Sequence, residues 1–234
     1  MAVIPVSPDG GRSALAIFCR APRLGTVKTR LAASRGNEFA LELYRVMLAD
    51  SFTLGCALVP QVETFACFTP DDAFEAGGLQ LLWDGPRMAQ CRGDLGARML
   101  HCFQQLRMEG AERIVLLGSD SPDVPIQYLS AAFASLEESD LVVGPSEDGG
   151  FYLIGASVPL PDSLFVGITW SSAEVYSRLV ENLEHHTPRL SLATVPPWRD
   201  VDDESDLQEL EQRLHETGTS APQTRAFMIG PLVD

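Results

Sequence analysis

Residues 114–122 read Ile-Val-Leu-Leu-Gly-Ser-Asp-Ser-Pro. The apolar run Arg113–Leu117 has the composition of a buried strand and is stopped by Gly118. Beyond it, Ile126, Leu129, Phe133 and Leu136 recur at helical spacing, which predicts a helix over Ile126–Leu136 with Asp123 placed to cap it. A buried strand that hands the chain to a helix through a short polar loop is the repeating unit of an α/β protein. The same alternation extends both ways. Ala14–Arg20, Val62–Phe68, Leu79–Trp83, Leu141–Val143, Phe151–Ile154 and Leu190–Val195 read as strands. Thr26–Ala33, Asn37–Phe52 (Asn37 as cap) and Asp94–Arg107 (Asp94 as cap) read as helices. Ser171 with Glu174 forms a capping box for the next helix, and Ser205 with Gln208 caps a last one on Leu207, Leu210 and Leu214. The fold class is therefore α/β with a mostly parallel sheet. One domain is expected over residues 14–216, with an extension at 1–13 and a patternless tail at 217–234.

The 234 residues correspond to about one and a half average domains, which favours one larger unit. A hydrophobic content of 45% is ordinary for a globular core, and no run approaches the ~20 apolar residues of a membrane span. No basic region followed by an apolar stretch opens the chain, so no secretory signal is expected. The five cysteines are odd in number and form no CxxC pair, which points to apolar filler in a reducing, cytoplasmic compartment. The net charge of −15 argues against a nucleic-acid partner, and no membrane partner is expected.

The charge is unevenly placed. Residues 1–60 carry seven basic and four acidic side chains, whereas residues 61–234 carry ten and 28. Arg20, Arg23, Lys28 and Arg30 cluster within eleven residues without an acid, and Lys28 is the protein's only lysine. Such a loop on an acidic chain suits a compact polyanion such as a diphosphate, although a solvated surface loop would look the same.

Several familiar motifs are absent. Gly25-Thr26-Val27-Lys28-Thr29 lacks the glycine that a Walker loop places before its lysine, and no G-x-G-x-x-G follows a strand. Gly118-Ser119-Asp120-Ser121 ends in Pro122 where a nucleophile elbow needs glycine. The acidic run Asp200–Glu204 has Ser205 where a calcium loop turns on glycine.

Four segments carry unusual chemistry, each at the end of an expected strand, where open α/β sheets gather their ligands. In residues 20–31, a loop leading into a helix start favours anions, with Lys28 as point charge and Arg30 as fork. Asp120, held before a proline turn, suits Mg²⁺ shared with substrate phosphates. In residues 145–152, Glu147, Asp148, Gly149 and Gly150 allow close backbone approach to a ligand, or form a plain hairpin turn. Asp200 and Asp202 alternate around Val201, so an extended backbone puts both carboxylates on one side, where with Asp120 they could surround one cation.

At these residues a resemblance emerges. APRLGTVKTRL, QCRGDLGARM, LLGSDSPDVP, GPSEDGGFYLIG, LFVGITWSS and WRDVDDESDL resemble, in order, blocks of a small bacterial family of GT-A-like nucleotide-diphospho-sugar transferases, labelled glycosyltransferases and found among others in arsenosugar-type clusters. The closing DVDDESDL also resembles phospholactate and molybdenum-cofactor guanylyltransferases, except that Asp203-Glu204-Ser205 stands where Thr-Pro-Glu is usual, which leaves the placement of the last helix open. The resemblance spans about Leu15 to Leu214. It implies a GT-A-like three-layer sandwich in which Arg20, Gly25, Lys28 and Arg30 hold the nucleotide and its phosphates. Gln90, Gly93 and Asp94 would lie near the nucleoside, Asp120 with Asp202 and Asp200 at the metal, and Asp148, Gly149 and Gly150 at the acceptor.

The combined expectation is a Mg²⁺- or Mn²⁺-dependent glycosyltransferase acting on a nucleoside-diphosphate sugar and a small-molecule acceptor. Asp148 is the candidate general base and Glu147 its rival. The alternatives are a nucleotidyltransferase that consumes a nucleoside triphosphate and releases pyrophosphate, and a non-catalytic nucleotide-binding protein.

Overall fold

Strand β1 (Arg12–Cys19) shows why the chain builds layers: Leu15, Ile17 and Cys19 face one side while Ala14 and Ala16 face the other, all buried. A strand covered on both faces reads as a continuous apolar run, the mark of a parallel sheet with helices above and below. The computed structural model describes residues 11–58, 60–69, 78–185, 188–217 and 221–230. Around β1 stand β2 (Val62–Phe68), β3 (Arg87–Ala89), β4 (Ala111–Gly118), β5 (Leu141–Pro145), β6 (Phe151–Ala156) and β7 (Leu192–Thr194). They form one seven-stranded sheet in the order β3-β2-β1-β4-β6-β5-β7, in which only β6 runs antiparallel to its neighbours.

Helices α2 (Asn37–Cys56) and α4 (Ile126–Ser135) cover one face through Tyr44, Leu48, Phe52, Leu129 and Phe133. Helices α3 (Leu95–Met108) and α5 (Val175–Glu184) cover the other through Met99, Phe103, Leu106, Leu179 and Leu183. A smaller third core joins α1 (Thr29–Arg35) and α2 to α6 (Glu204–Thr217) through Leu31, Leu43, Met47, Leu207, Leu210 and Leu214. The fold is thus a single α/β domain, a three-layer sandwich with a mostly parallel sheet, as expected. No described helix is long and apolar enough to cross a membrane.

The structure corrects several local expectations. Residues 79–83 hold a short 3₁₀ turn (Leu79–Leu81) instead of a strand; Leu79 and Trp83 are buried under α2, with Trp83 stacked on Phe52 at 4.7 Å. The strand at that edge is β3, too short and too exposed to leave an apolar signature. β1 starts at Arg12, inside the expected extension; residues 1–10 lie outside the described chain. Asn37 lies within α2, whose cap position is Gly36, and α4 is entered through Pro125. Asp123 instead accepts from Arg213 Nε at 2.7 Å and Trp198 Nε1 at 3.2 Å, tying α6 to the segment after β7. Ser171 adopts φ 64° instead of capping α5. The cap of α6 is Asp203, not Ser205: its Oδ1 accepts from the Ser205 and Asp206 amides at 2.9 and 3.2 Å. Cys19, Cys67 and Cys102 are buried filler, but Cys56 is exposed and Cys91 partly so.

The expected tail contains a helix, α7 (Pro222–Ile229). Its N-terminus is capped from a distance by Asp50 of α2, which accepts from the Gln223 and Thr224 amides at 3.0 and 2.7 Å. Burial pushes the Asp50 carboxyl upward, and these donors partly offset it. Replacing a helix cap by alanine typically costs about 0.5–2 kcal/mol. Asp50→Ala should therefore lower stability in urea by that order and speed hydrogen exchange of the α7 amides selectively. Unchanged α7 exchange would refute the cap.

Candidate active site

At the carboxyl edge of β1, β4 and β5, where the antiparallel β6 begins, the chain opens into a cleft of about 660 Å³. Two walls bound it, one on each face of the sheet. The first wall belongs to the α2 face: the β1–α1 loop with Arg20, Lys28 and Arg30, together with Tyr44, Asp120, Asp200 and Asp202. The second belongs to the α3 and α5 face: Leu95, Arg98, Phe151 and Trp170–Ser172, with the β5–β6 hairpin carrying Ser146, Asp148 and Gly150.

Lys28 is the centre of the first wall. It sits in the left-handed region at φ 46°, ψ 47°, one residue ahead of α1. That side chain is 4% exposed, and its ammonium contacts Asp120 and lies 3.3 Å from Asp202 Oδ1. Burial pulls the ammonium's pKa down, but Asp120, then Asp202 and finally Asp200 outweigh it, so the net shift is upward and Lys28 stays charged. Arg30 Nη1 lies 3.9 Å from Asp202 Oδ2.

The carboxylates reach this point by different routes. Asp120 follows β4, and its carbonyl accepts the Val201 amide at 2.9 Å. That bond pins the extended segment 200–202: Val201 is fully buried in the third core, while Asp200 and Asp202 both line the cleft. The alternation read from sequence is thus realised, and Asp203, by capping α6, supplies the turn that the changed residues left open. Asp200 Oδ1 accepts from Ser121 Oγ at 2.6 Å. Burial, with Asp120 and Asp148 adding, pushes the Asp200 carboxyl up to about 7 despite the opposing Ser121 bond and Lys28.

Whether these residues suit a cation depends on their number. No three His, Cys, Asp or Glu side chains among the described residues converge closely enough to hold an ion alone. The expected ring of three aspartates is therefore not a preformed cage; Asp200 turns to Ser121, and Asp120 and Asp202 share the lysine. Mg²⁺ is commonly bound by one or two carboxylates plus substrate phosphates and water, which the half-exposed Asp120 and Asp202 satisfy.

Of the residues named from sequence, Arg20, Lys28, Arg30, Gln90, Asp120, Asp148, Gly150, Asp200 and Asp202 line the cleft. Gly25, Gly93, Asp94, Glu147 and Gly149 do not. Gly25 closes the Arg23–Thr26 turn, whose Thr26 amide bonds the Arg23 carbonyl at 3.2 Å. Asp94 caps α3, accepting the Ala97 amide at 2.8 Å. Glu147 points away to Arg199 at 2.5 Å. Gly149 (φ 89°) packs so closely against the segment entering α5 that a Cβ would lie 2.2 Å from the Ala173 carbonyl oxygen, so its lack of side chain serves packing. Gly93 carries its carbonyl to Arg98 Nε at 2.9 Å.

Sequence reasoning missed Tyr44, Arg98, Ser121 and Trp170–Ser172. Tyr44 is spaced like a core residue, yet its hydroxyl accepts the Arg20 amide at 2.8 Å and lies 3.3 Å from Ser119 Oγ, clamping the cationic loop to the β4 loop. Arg98, Ser121 and Trp170 stand inside the blocks that carry the family resemblance, which was their only signal.

Comparison with known proteins places this geometry. The model of a family described as uncharacterized proteins conserved in bacteria, DUF2064, matches residues 53–172. No curated protein matches the chain. A crystal structure from Desulfovibrio desulfuricans G20, provisionally named a nucleotide-diphospho-sugar transferase, is 34% identical over 93% of this chain and 94% of that one, with a TM-score of 0.84. The inositol-1-phosphate CTP transferase from T. maritima shares 14% identity, covering 96% and 99% of the two chains, at a TM-score of 0.55. A nucleotidyl transferase from Methanothermobacter thermautotroptrophicus shares 17%, covering 88% and 100%, at 0.56. At such identities these last two show the fold alone.

A hydrogen bond to an ionised carboxylate holds its pKa down. Ser121→Ala should therefore raise the Asp200 carboxyl above its value near 7, as followed by carboxyl-carbon NMR titration. A fall or no change would contradict the Ser121–Asp200 pairing.

Proposed function

The chain belongs to the DUF2064 family of bacterial proteins, and from that premise we propose that it is a transferase that takes a glycosyl group from a nucleoside-diphosphate sugar. The observation that carries this reading is the contact of the buried Lys28 ammonium with Asp120 and Asp202 at the sheet's carboxyl edge. A fixed cation among carboxylates offers a diphosphate both a counter-charge and a place to share a divalent ion.

In this reading Lys28, Arg20 and Arg30 bind the diphosphate and stabilise the charge that grows on it as it leaves, the term that usually dominates such catalysis. Mg²⁺ or Mn²⁺, when bound by Asp120 and Asp202, would supply further neutralisation of the diphosphate. Asp148 faces the same cleft from the second wall; one of its oxygens accepts the Gly150 amide at 3.0 Å. That bond orients the carboxylate to take the proton from an acceptor hydroxyl. The acceptor oxygen then bonds to the anomeric carbon, the bond from that carbon to the phosphate oxygen breaks, and nucleoside diphosphate departs. Glu147, engaged by Arg199, is not used. Gln90, whose Nε2 donates to the Cys67 carbonyl at 2.9 Å, keeps its oxygen as an acceptor for a nucleobase.

A nucleotidyltransferase would use the same lysine and aspartates. The sugar-donor reading is supported by the name of the 34% identical relative, and by a first loop with a single glycine where a triphosphate would need a more generous backbone cradle.

Lys28→Ala should weaken binding of nucleoside diphosphate with Mn²⁺ by about tenfold or more, the scale of one lost charge-assisted contact; unchanged affinity in calorimetry would remove the phosphate role. Asp148→Asn should lower turnover far more than donor affinity, and equal loss of both would dismiss it as base. Pyrophosphate as released product, in place of nucleoside diphosphate, would overturn the glycosyl assignment.

A further inference from the structure

The second wall holds a cation that the proposed donor chemistry leaves unused. Arg98, on the first turn of α3, has its Nε fixed by the Gly93 carbonyl at 2.9 Å and lines the cleft without an acidic partner among the described residues. On a chain of net charge −15, Lys28 and Arg30 in the same cleft each face Asp202, and Arg20, on the first wall, shares with Arg98 the lack of a described acidic partner. The bracket at Gly93 depends on backbone that only glycine adopts readily, φ 130°, and a Cβ there would press on Ala97 at 3.0 Å. With Nε held, the two terminal nitrogens remain as a preoriented fork, the geometry that suits phosphate or carboxylate oxygens.

Two neighbouring groups point the same way. The Trp170 indole lies against the α3 backbone at Gly96, two residues from Arg98, so near that a Cβ would come within 2.9 Å of its Cζ2. Trp170 Nε1 and Ser146 Oγ, both on residues that line this wall, are shielded from water and have no hydrogen-bond partner. An indole N–H can only donate, a guanidinium can only donate, and a serine hydroxyl can donate. Unpaired buried polar atoms also occur away from the cleft, at Ser13, Thr64, Thr224 and Arg225, but only these two stand among the described residues of the cleft wall, and beside the Arg98 fork they suit a ligand rich in acceptor oxygens.

We propose that the second wall binds the acceptor through an anionic oxygen group, a phosphate ester or carboxylate, gripped by Arg98 beside Trp170 and Ser146. The acceptor is then a small hydroxylated acid: its anion anchors on Arg98 while its hydroxyl turns to Asp148 on the same wall. This rests on the transferase reading above, which assigns the first wall to the nucleotide.

The test saturates the full chain with the tightest-binding nucleoside diphosphate and Mn²⁺, then titrates glycerol 3-phosphate, glycerate and glycerol by calorimetry. At least one anion should bind about tenfold or more tightly than glycerol. Arg98→Gln should abolish that preference while changing nucleotide affinity less than threefold, and Arg98→Lys should restore part of it. Gly93→Ala, which strains the bracket and crowds Ala97, should weaken anion binding with the guanidinium intact. Equal binding of glycerol and both anions would overturn the proposal. So would a tenfold loss of nucleotide affinity in Arg98→Gln with anion preference intact, which would move Arg98 to the nucleotide subsite. If no nucleotide binds the wild-type chain, the transferase reading fails on its own. Anion binding to the free Lys28→Ala chain then decides the second wall, supporting it if lost in Lys28→Ala/Arg98→Gln and overturning it if retained.

Discussion

An ammonium group removed from water is stable only if opposite charge stands close by, and the site is organised around that constraint. Lys28 is buried, charged and held in a left-handed backbone conformation that costs a non-glycine residue energy. Such strain persists where surrounding structure over-determines it. Here Asp120 and Asp202 fix the ammonium, the Asp120 carbonyl holds Val201, and Val201 anchors in the core with α6. Carboxylates that would repel one another share one cation, and the cation keeps its charge because they are there. In the proposed function this arrangement allows exchange: a diphosphate would compete for Lys28, and a divalent ion would compete for the aspartates.

The sheet explains why these groups meet. Parallel strands deliver their loops to one edge, so residues far apart in sequence, at the ends of β1, β4 and β5 and after β7, converge without special folding. Alternation along the strands sends side chains to two different cores, and the helices over those cores bring the cleft's two walls. Tyr44 couples the β1 and β4 loops through its hydroxyl, and the Tyr176 amide bonds the Gly149 carbonyl at 2.9 Å, so the hairpin tip moves with α5. Each wall is thereby tied to its own helical layer.

Much of this was legible in the chain because buried parallel strands write themselves as apolar runs. β2 was readable to the residue, and β1 and β4 to within two residues, from composition alone. The lone lysine and the spacing of Asp200 and Asp202 likewise carried their meaning openly, since charge and alternation are local properties. What stayed hidden depends on distant partners. β3 is three residues at an edge and buries too little to show a pattern. α7 is helical because Asp50, far away on α2, supplies its cap. Leu79–Trp83 has strand-like residues that packing under α2 turned into a 3₁₀ segment. Glu147 carries the charge a ligand site needs, but a carboxylate becomes available only when no nearer donor claims it, and Arg199 does so; the capping of α3 by Asp94, by contrast, is legible in the sequence. Arg98 was overlooked for the converse reason: its significance lies in the partner it lacks.

The proposed function requires that the lysine and its aspartates bind nucleotide and metal together. A crystal of the chain grown with nucleoside diphosphate and Mn²⁺, measured at the manganese absorption edge, tests it directly. One anomalous peak is expected between the Asp120 and Asp202 carboxylates, with diphosphate oxygens on Lys28. A manganese ion elsewhere, or a nucleotide bound without contact to Lys28, would contradict it.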